Sequence, residues 1–133
     1  MALNLHPASG VEPFEAQYEA FAADYGWDKP GEGVPFRMSQ EKWADSYFKT
    51  VLGPMEDDGV DFWWLDWQQW KESKYVKDLS NTFWLNHTFF RHAEERSPDI
   101  RPFIYHRWGG LGSHRYQLAF SGDTYATWKT LAF

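Results

Sequence analysis

Gly59-Val60-Asp61-Phe62-Trp63-Trp64-Leu65-Asp66-Trp67-Gln68-Gln69-Trp70 holds a near-continuous apolar run, Val60 to Leu65, between a turn residue and a carboxylate. Its shortness, its β-branched start and its three aromatics favour a strand over a helix. Both faces of the run are apolar, which predicts a buried strand of a parallel sheet, covered on both sides. A carboxylate at the C-terminal end of such a strand stands where α/β proteins place their chemistry, so Asp66 is the first candidate residue. Asp61 is a charge inside the same strand and requires a cationic partner on a neighbouring element.

Upstream, Ala2-Leu3-Asn4-Leu5-His6-Pro7 reads as a short strand. Pro13 suits a first helical position, and Phe14, Tyr18, Phe21, Ala22 and Tyr25 recur at helical spacing before Gly26. Residues 27–38 carry Pro and Gly and form a loop. Ser39 suits an N-cap, with Glu41 in the first turn, where the helix dipole favours negative charge. Trp43, Tyr47, Phe48, Val51 and Leu52 line this second helix, which Gly53-Pro54 weakens or stops.

Downstream, residues 71–77 form a polar loop, and Ser80 or Asn81 caps a third helix with Phe83, Trp84, His87, Phe90 and Ala93 inward. Arg101 to Arg107 is a second buried strand, with Pro102 at its start where a missing N–H is tolerated. Trp108 to Ser113 is a Gly-rich loop. Tyr116 to Ser121 is a third strand closing on Gly122-Asp123, and a last helix begins at Thr124. Strands alternating with helices imply parallel strands in a layered α/β arrangement. A strand without a lead-in and a helix without a finish predict a chain cut at both ends.

The composition bounds the function. One domain is expected from 133 residues, and 43% apolar with 24% charged residues is that of a globular protein. Nine Trp, seven Tyr and eleven Phe exceed ordinary usage; a large core explains most of them, and a sugar-stacking surface is the other use. A net charge of −6 without a basic stripe argues against a nucleic-acid partner. No apolar run reaches membrane-span length, and the N-terminus lacks the pattern of a signal peptide. Zero Cys removes disulfides and thiolate ligands and leaves the compartment open.

Asp66 and Asp123 both follow strands, so parallel pairing brings both carboxylates to one rim. Two carboxylates flanking one bond are what glycoside hydrolysis requires. Arg107 ends the strand between them and places a cation at that rim. It can hold a hydroxyl, depress a carboxylate, or serve as an ion pair that fixes the rim.

The run ending Trp64-Leu65-Asp66 resembles the nucleophile strand of the family 31 glycoside hydrolases, the retaining α-glucosidase and α-xylosidase group. Arg101 to Asp123 resembles that family's next block: Arg-Pro-Phe, a strand ending in Arg, Gly-rich residues, Arg115-Tyr116, then an aromatic-x-Gly-Asp. The resemblance implies a partial (β/α)8 TIM barrel, about strands three to six. It implies Asp66 as nucleophile, Asp123 as general acid/base, Arg107 as a sugar ligand, and Trp64 and Phe120 as walls of the sugar pocket. Its substrate is an oligosaccharide or other α-glycoside, with no cofactor. A closed barrel takes about 250 residues, so the remainder of the barrel in the parent chain is an expected partner.

The sequence also departs from the pattern. Trp67-Gln68-Gln69 stands where many members have Met-Asn-Glu, and Phe120-Ser121 where the aromatic before Gly-Asp is often Trp. These differences bear on which sugar is taken. No HExxH motif exists, and His87 and His92 are not stacked on one helical face, so no metal site is expected. His106 suits a strand-end hydrogen bonder. Gly109-Gly110-Leu111-Gly112 lacks P-loop spacing and reads as a turn. Two alternatives stand beside the hydrolase: a non-catalytic carbohydrate-binding module, and a barrel fragment inactive by itself because it leaves sheet edges unpaired.

Overall fold

The computed structural model describes residues 1–67, 69–107 and 111–132. The expected turn at Gly109-Gly110, the start of its loop at Trp108, the departure at Gln68 and the chain end at Phe133 lie outside the described residues. Four strands pair in parallel and in chain order: β1 (Ala2–Leu5), β2 (Phe62–Leu65), β3 (Tyr105–His106) and β4 (Leu118–Ala119). A doubly wound sheet reverses its strand order at a switch point, whereas a (β/α)8 barrel keeps sequential neighbours adjacent. The observed order is the barrel's. The four described strands are half of the number in a closed barrel.

Side chains alternate along each strand, and the two faces of the sheet differ. Trp63, Leu65, Ile104 and His106 are buried against the helical layer. Phe62, Trp64 and Tyr105 face the other way and are only half-buried, with Phe103 and Leu118 more exposed. The expected cover on both faces is thus absent among the described residues. The open face is aromatic nonetheless: Trp64 stacks on Tyr105 at 5.0 Å, and Phe62 meets Phe103 edge-on at 4.6 Å.

The helical layer comprises α1 (Tyr18–Tyr25), α2 (Glu41–Tyr47), α3 (Gly53–Asp57) and α4 (Asn81–Arg96), and a short exposed α5 (Trp128–Leu131) follows β4. Trp43 is its centre, stacked on Tyr47 at 4.8 Å and edge-on to Phe21 at 5.4 Å. Phe89 of α4 meets Phe48 at 5.0 Å and joins this cluster to the sheet. Gly10 is required by a close approach. Its φ is +85°, and a Cβ there would sit 2.0 Å from the Val34 carbonyl oxygen. The adjacent Val11–Val34 bridge ties the 27–38 loop to the stretch that follows β1.

Several boundaries differ from the sequence reading, each for a local reason. The first helix starts at Tyr18, not Pro13, because Glu15 accepts from the Glu12 N–H in a preceding turn; Phe14 is left 87% exposed. Gly53-Pro54 does not stop the second helix. A π-helical turn, Phe48–Leu52, absorbs the change and leads into α3, with Pro54 in the first turn where its missing N–H is harmless. Gly53 fits because a Cβ would lie 2.8 Å from the Phe48 carbonyl oxygen.

The third helix keeps its predicted extent but is rotated. Leu85 and Phe89 fill the core, Phe83, Trp84 and Phe90 are half-buried, and His87 is exposed. The second and third predicted strands shrink to two residues each. Asp61 precedes β2 rather than lying within it. Its side chain is 75% exposed and pairs with the amino terminus, so no buried cation is needed.

Candidate active site

The C-terminal rim of the sheet is set by register. Leu5, Leu65, His106 and Ala119 lie side by side across the four strands. One residue further on stand His6, Asp66, Arg107 and Phe120. The ladder continues through them: Asp66 N–H donates to Leu5 O at 3.2 Å, Arg107 N–H to Leu65 O at 3.1 Å, and Phe120 N–H to His106 O at 2.9 Å. By alternation all four side chains take the open face, above Asn4, Trp64, Tyr105 and Leu118.

Asp66 is the buried member of this layer, 6% exposed. Its carboxylate accepts from Trp67 N–H at 2.8 Å, His6 Nε2 at 3.0 Å, Asn4 Nδ2 at 3.3 Å and Arg107 Nε. An ionised carboxylate offers only acceptors, so the His6 Nε2 bears the proton. Burial pushes the Asp66 carboxyl up, but these donors, His6 and Arg107 foremost, outweigh it and hold the group at about 2.

Arg107 joins the two carboxylates. While Nε serves Asp66, its other nitrogens grip Asp123 as a fork, Nη1 to Oδ2 at 3.1 Å and Nη2 to Oδ1 at 3.3 Å. The guanidinium also lies over the Phe120 ring at 4.5 Å, and the two acids hold its own ionisation above the usual arginine range. Phe120 in turn contacts Trp64 at 5.3 Å. Asp123 lies past the end of β4 with its side chain 82% exposed, beside a cleft of about 520 Å³ lined by Phe120, Gly122, Asp123, Thr124 and Tyr125.

Asp66, Asp123, Arg107, Trp64 and Phe120 therefore converge on one rim. His6 and Asn4 were missed by the sequence reading, although the signal was present. Once Ala2 to Pro7 is a strand parallel to the next, its end must reach the same rim. His106, by contrast, faces the helices, 1% exposed, with its ring edge-on to Tyr116 at 6.1 Å. A wider cleft of about 600 Å³ between α2–α3 and α4 includes none of the rim residues. The rim has the chemistry: a fixed buried anion, an exposed carboxylate, and a cation spanning them.

Residues 12–133 match the family model described as the glycosyl hydrolases family 31 TIM-barrel domain. The chain belongs to that family. β1 and His6 precede the matched span. No curated protein matches the chain.

Proposed function

From membership of family 31, we propose that this chain carries the catalytic rim of a retaining α-glycoside hydrolase, with Asp66 as nucleophile and Asp123 as general acid/base. Arg107 is the sugar ligand, and Trp64 and Phe120 are the pocket's aromatic walls. Residues 1–133 form part of one catalytic domain, whose remaining strands come from the parent chain. The observation that carries this reading is the single guanidinium linking Asp66 to Asp123.

An Asp66 oxygen attacks the anomeric carbon as the glycosidic C–O bond breaks, and the departing oxygen takes a proton from Asp123. This leaves a β-linked glycosyl ester on Asp66. Asp123 then removes a proton from water, whose oxygen attacks the same carbon and releases Asp66. Two inversions give net retention. The nucleophile has to be ionised, which the donors around Asp66 favour. Asp123 has to be free to give a proton, so substrate entry must open the Arg107 fork. The exposed position of Asp123 permits that motion.

The test is turnover of a panel of aryl α-glucosides, α-xylosides and α-galactosides. Asp66→Asn is expected to lower kcat/KM by on the order of a thousandfold with every leaving group. Asp123→Asn should cost least where the aryl leaving group is acidic enough to depart unprotonated. Activity unchanged in either variant would contradict the assignment. Sugar binding that survives both substitutions, with no turnover by the native chain, would favour the carbohydrate-binding module.

A further inference from the structure

An ionised carboxylate has two oxygens and about four lone-pair sites. Among the described residues, donors meet Asp66 at both oxygens. Trp67 N–H, at 2.8 Å, and Arg107 Nε share Oδ1, whereas His6 Nε2, at 3.0 Å, and Asn4 Nδ2, at 3.3 Å, share Oδ2. A carboxylate saturated in this way cannot attack. One lone pair has to come free and point at the anomeric carbon. The two oxygens are not held alike. Oδ1 is kept by the backbone of the adjoining residue and by Arg107, whose guanidinium also rests on the Phe120 ring. Oδ2 is kept by two side chains of the β1 segment, and the Asn4 bond is the longest at this carboxylate. These donors stand on the accessible side: Asn4 is exposed, and the His6 side chain is 38% exposed against 13% for Arg107.

The backbone of His6 has little freedom. The buried Pro7 follows it, and the proline ring bars the preceding residue from the helical region, so His6 stays extended at φ −123° and ψ 83°. On its other side, the ladder bond from Asp66 N–H to Leu5 O fixes β1 and β2 next to each other. The imidazole therefore reaches Oδ2 from a fixed base.

We infer that His6 is a positioning residue for the nucleophile: Oδ2 is the attacking oxygen, the Asn4 bond gives way to substrate, and His6 Nε2–H keeps hold of Oδ2 and directs its freed lone pair. This rests on the glycosidase reading and names which oxygen of that site reacts. The Oδ2 lone pair forms the new C–O bond as the glycosidic C–O bond breaks, the leaving oxygen takes its proton from Asp123, and the His6 proton stays on Nε2. His6 and Asn4 both precede the span of the family match, so strand register alone carries the assignment.

The experiment compares His6→Ala, His6→Asn and His6→Gln in the 133-residue chain, reading kcat and KM on aryl α-glycosides beside the NMR midpoint of the Asp66 carboxyl. The bonded atom is Nε2, which a Gln amide reaches and the shorter Asn amide does not. His6→Ala and His6→Asn are expected to lower kcat by about ten- to a hundredfold with KM changed by less than about twofold. Both should raise the Asp66 midpoint, and His6→Gln should restore most of both quantities. In a crystal structure of the glycosyl ester, the ester oxygen should be the one facing His6. A kcat or a carboxyl midpoint unmoved by His6→Ala overturns the assignment and leaves the glycosidase reading in place. So does a Gln variant no better than Asn, a loss of fixed near-ultraviolet dichroism in all three, which marks a structural role, or an ester oxygen facing Arg107. No turnover of any glycoside by the native chain overturns the glycosidase reading together with this assignment.

Discussion

At Asp66, burial and hydrogen bonding oppose each other, and hydrogen bonding wins. The carboxyl stays at about 2 against an ordinary 3.8. A depressed folded value means that the group's stabilisation is full above about pH 4 and is lost as pH falls through about 2. The native chain should therefore lose roughly 2 kcal/mol over that window from this group alone. A carboxyl-resolved NMR titration beside acid unfolding would check it; a midpoint near 4 would contradict the observed donor set. Arg107→Gln should raise the Asp66 midpoint by about one unit or more, since it removes both a donor and the neighbouring cation. Asp66, Arg107 and Asp123 were legible in the sequence because each follows a recognisable strand. His6 was not singled out, since its carboxylate partner lies on another strand and only register joins them.

Among the elements, β2 is held from behind as well as from the rim. Trp63 turns its indole outward and donates to Glu56 of α3 at 2.7 Å, while His92 and Arg96 of α4 contact the same carboxylate at 2.9 and 3.1 Å. Burial pushes Glu56 up, and the bonds from His92 and Trp63 bring it below the usual range. Trp63→Phe keeps the ring in the core and removes the donor, which should cost about 1.5–3 kcal/mol. Chemical denaturation would measure this, and no change in midpoint would sever the link between α3 and β2. Gly10→Ala meets both a positive φ and the Val34 carbonyl, so it should destabilise by more than about 1 kcal/mol in the same assay. Helix existence was legible from apolar spacing. The phase of α4 was not, because Phe83, Trp84 and Phe90 lie on a flank and Leu85 and Phe89 set the face that packs. The π-helical turn before Pro54 was hidden for a related reason: Gly-Pro signals a break, and only tertiary packing shows that the chain continues through it.

For the molecule as a whole, one face of the sheet is packed and the other is open. The outer edges of β1 and β4 have no strand partner among the described residues. Trp43, Tyr47 and Phe21 should give a fixed near-ultraviolet dichroism that melts cooperatively, as expected of a packed core. Unpaired edges beside an aromatic face should make the isolated chain self-associate with concentration, measurable by sedimentation. The parallel order and the helical crossovers were legible from the alternation of elements. The openness of one face was not, because an apolar run is the same sequence whether its second cover is present or missing. The proposed nucleophile role of Asp66 requires a covalent bond to the sugar, and mass spectrometry of the chain after exposure to a fluorinated α-glycosyl fluoride, which slows release of the glycosyl ester, tests it most directly. A single added glycosyl unit on the peptide containing Asp66, absent in Asp66→Asn, is the predicted result. An adduct on another residue, or none on a chain that turns over aryl α-glycosides, would contradict it.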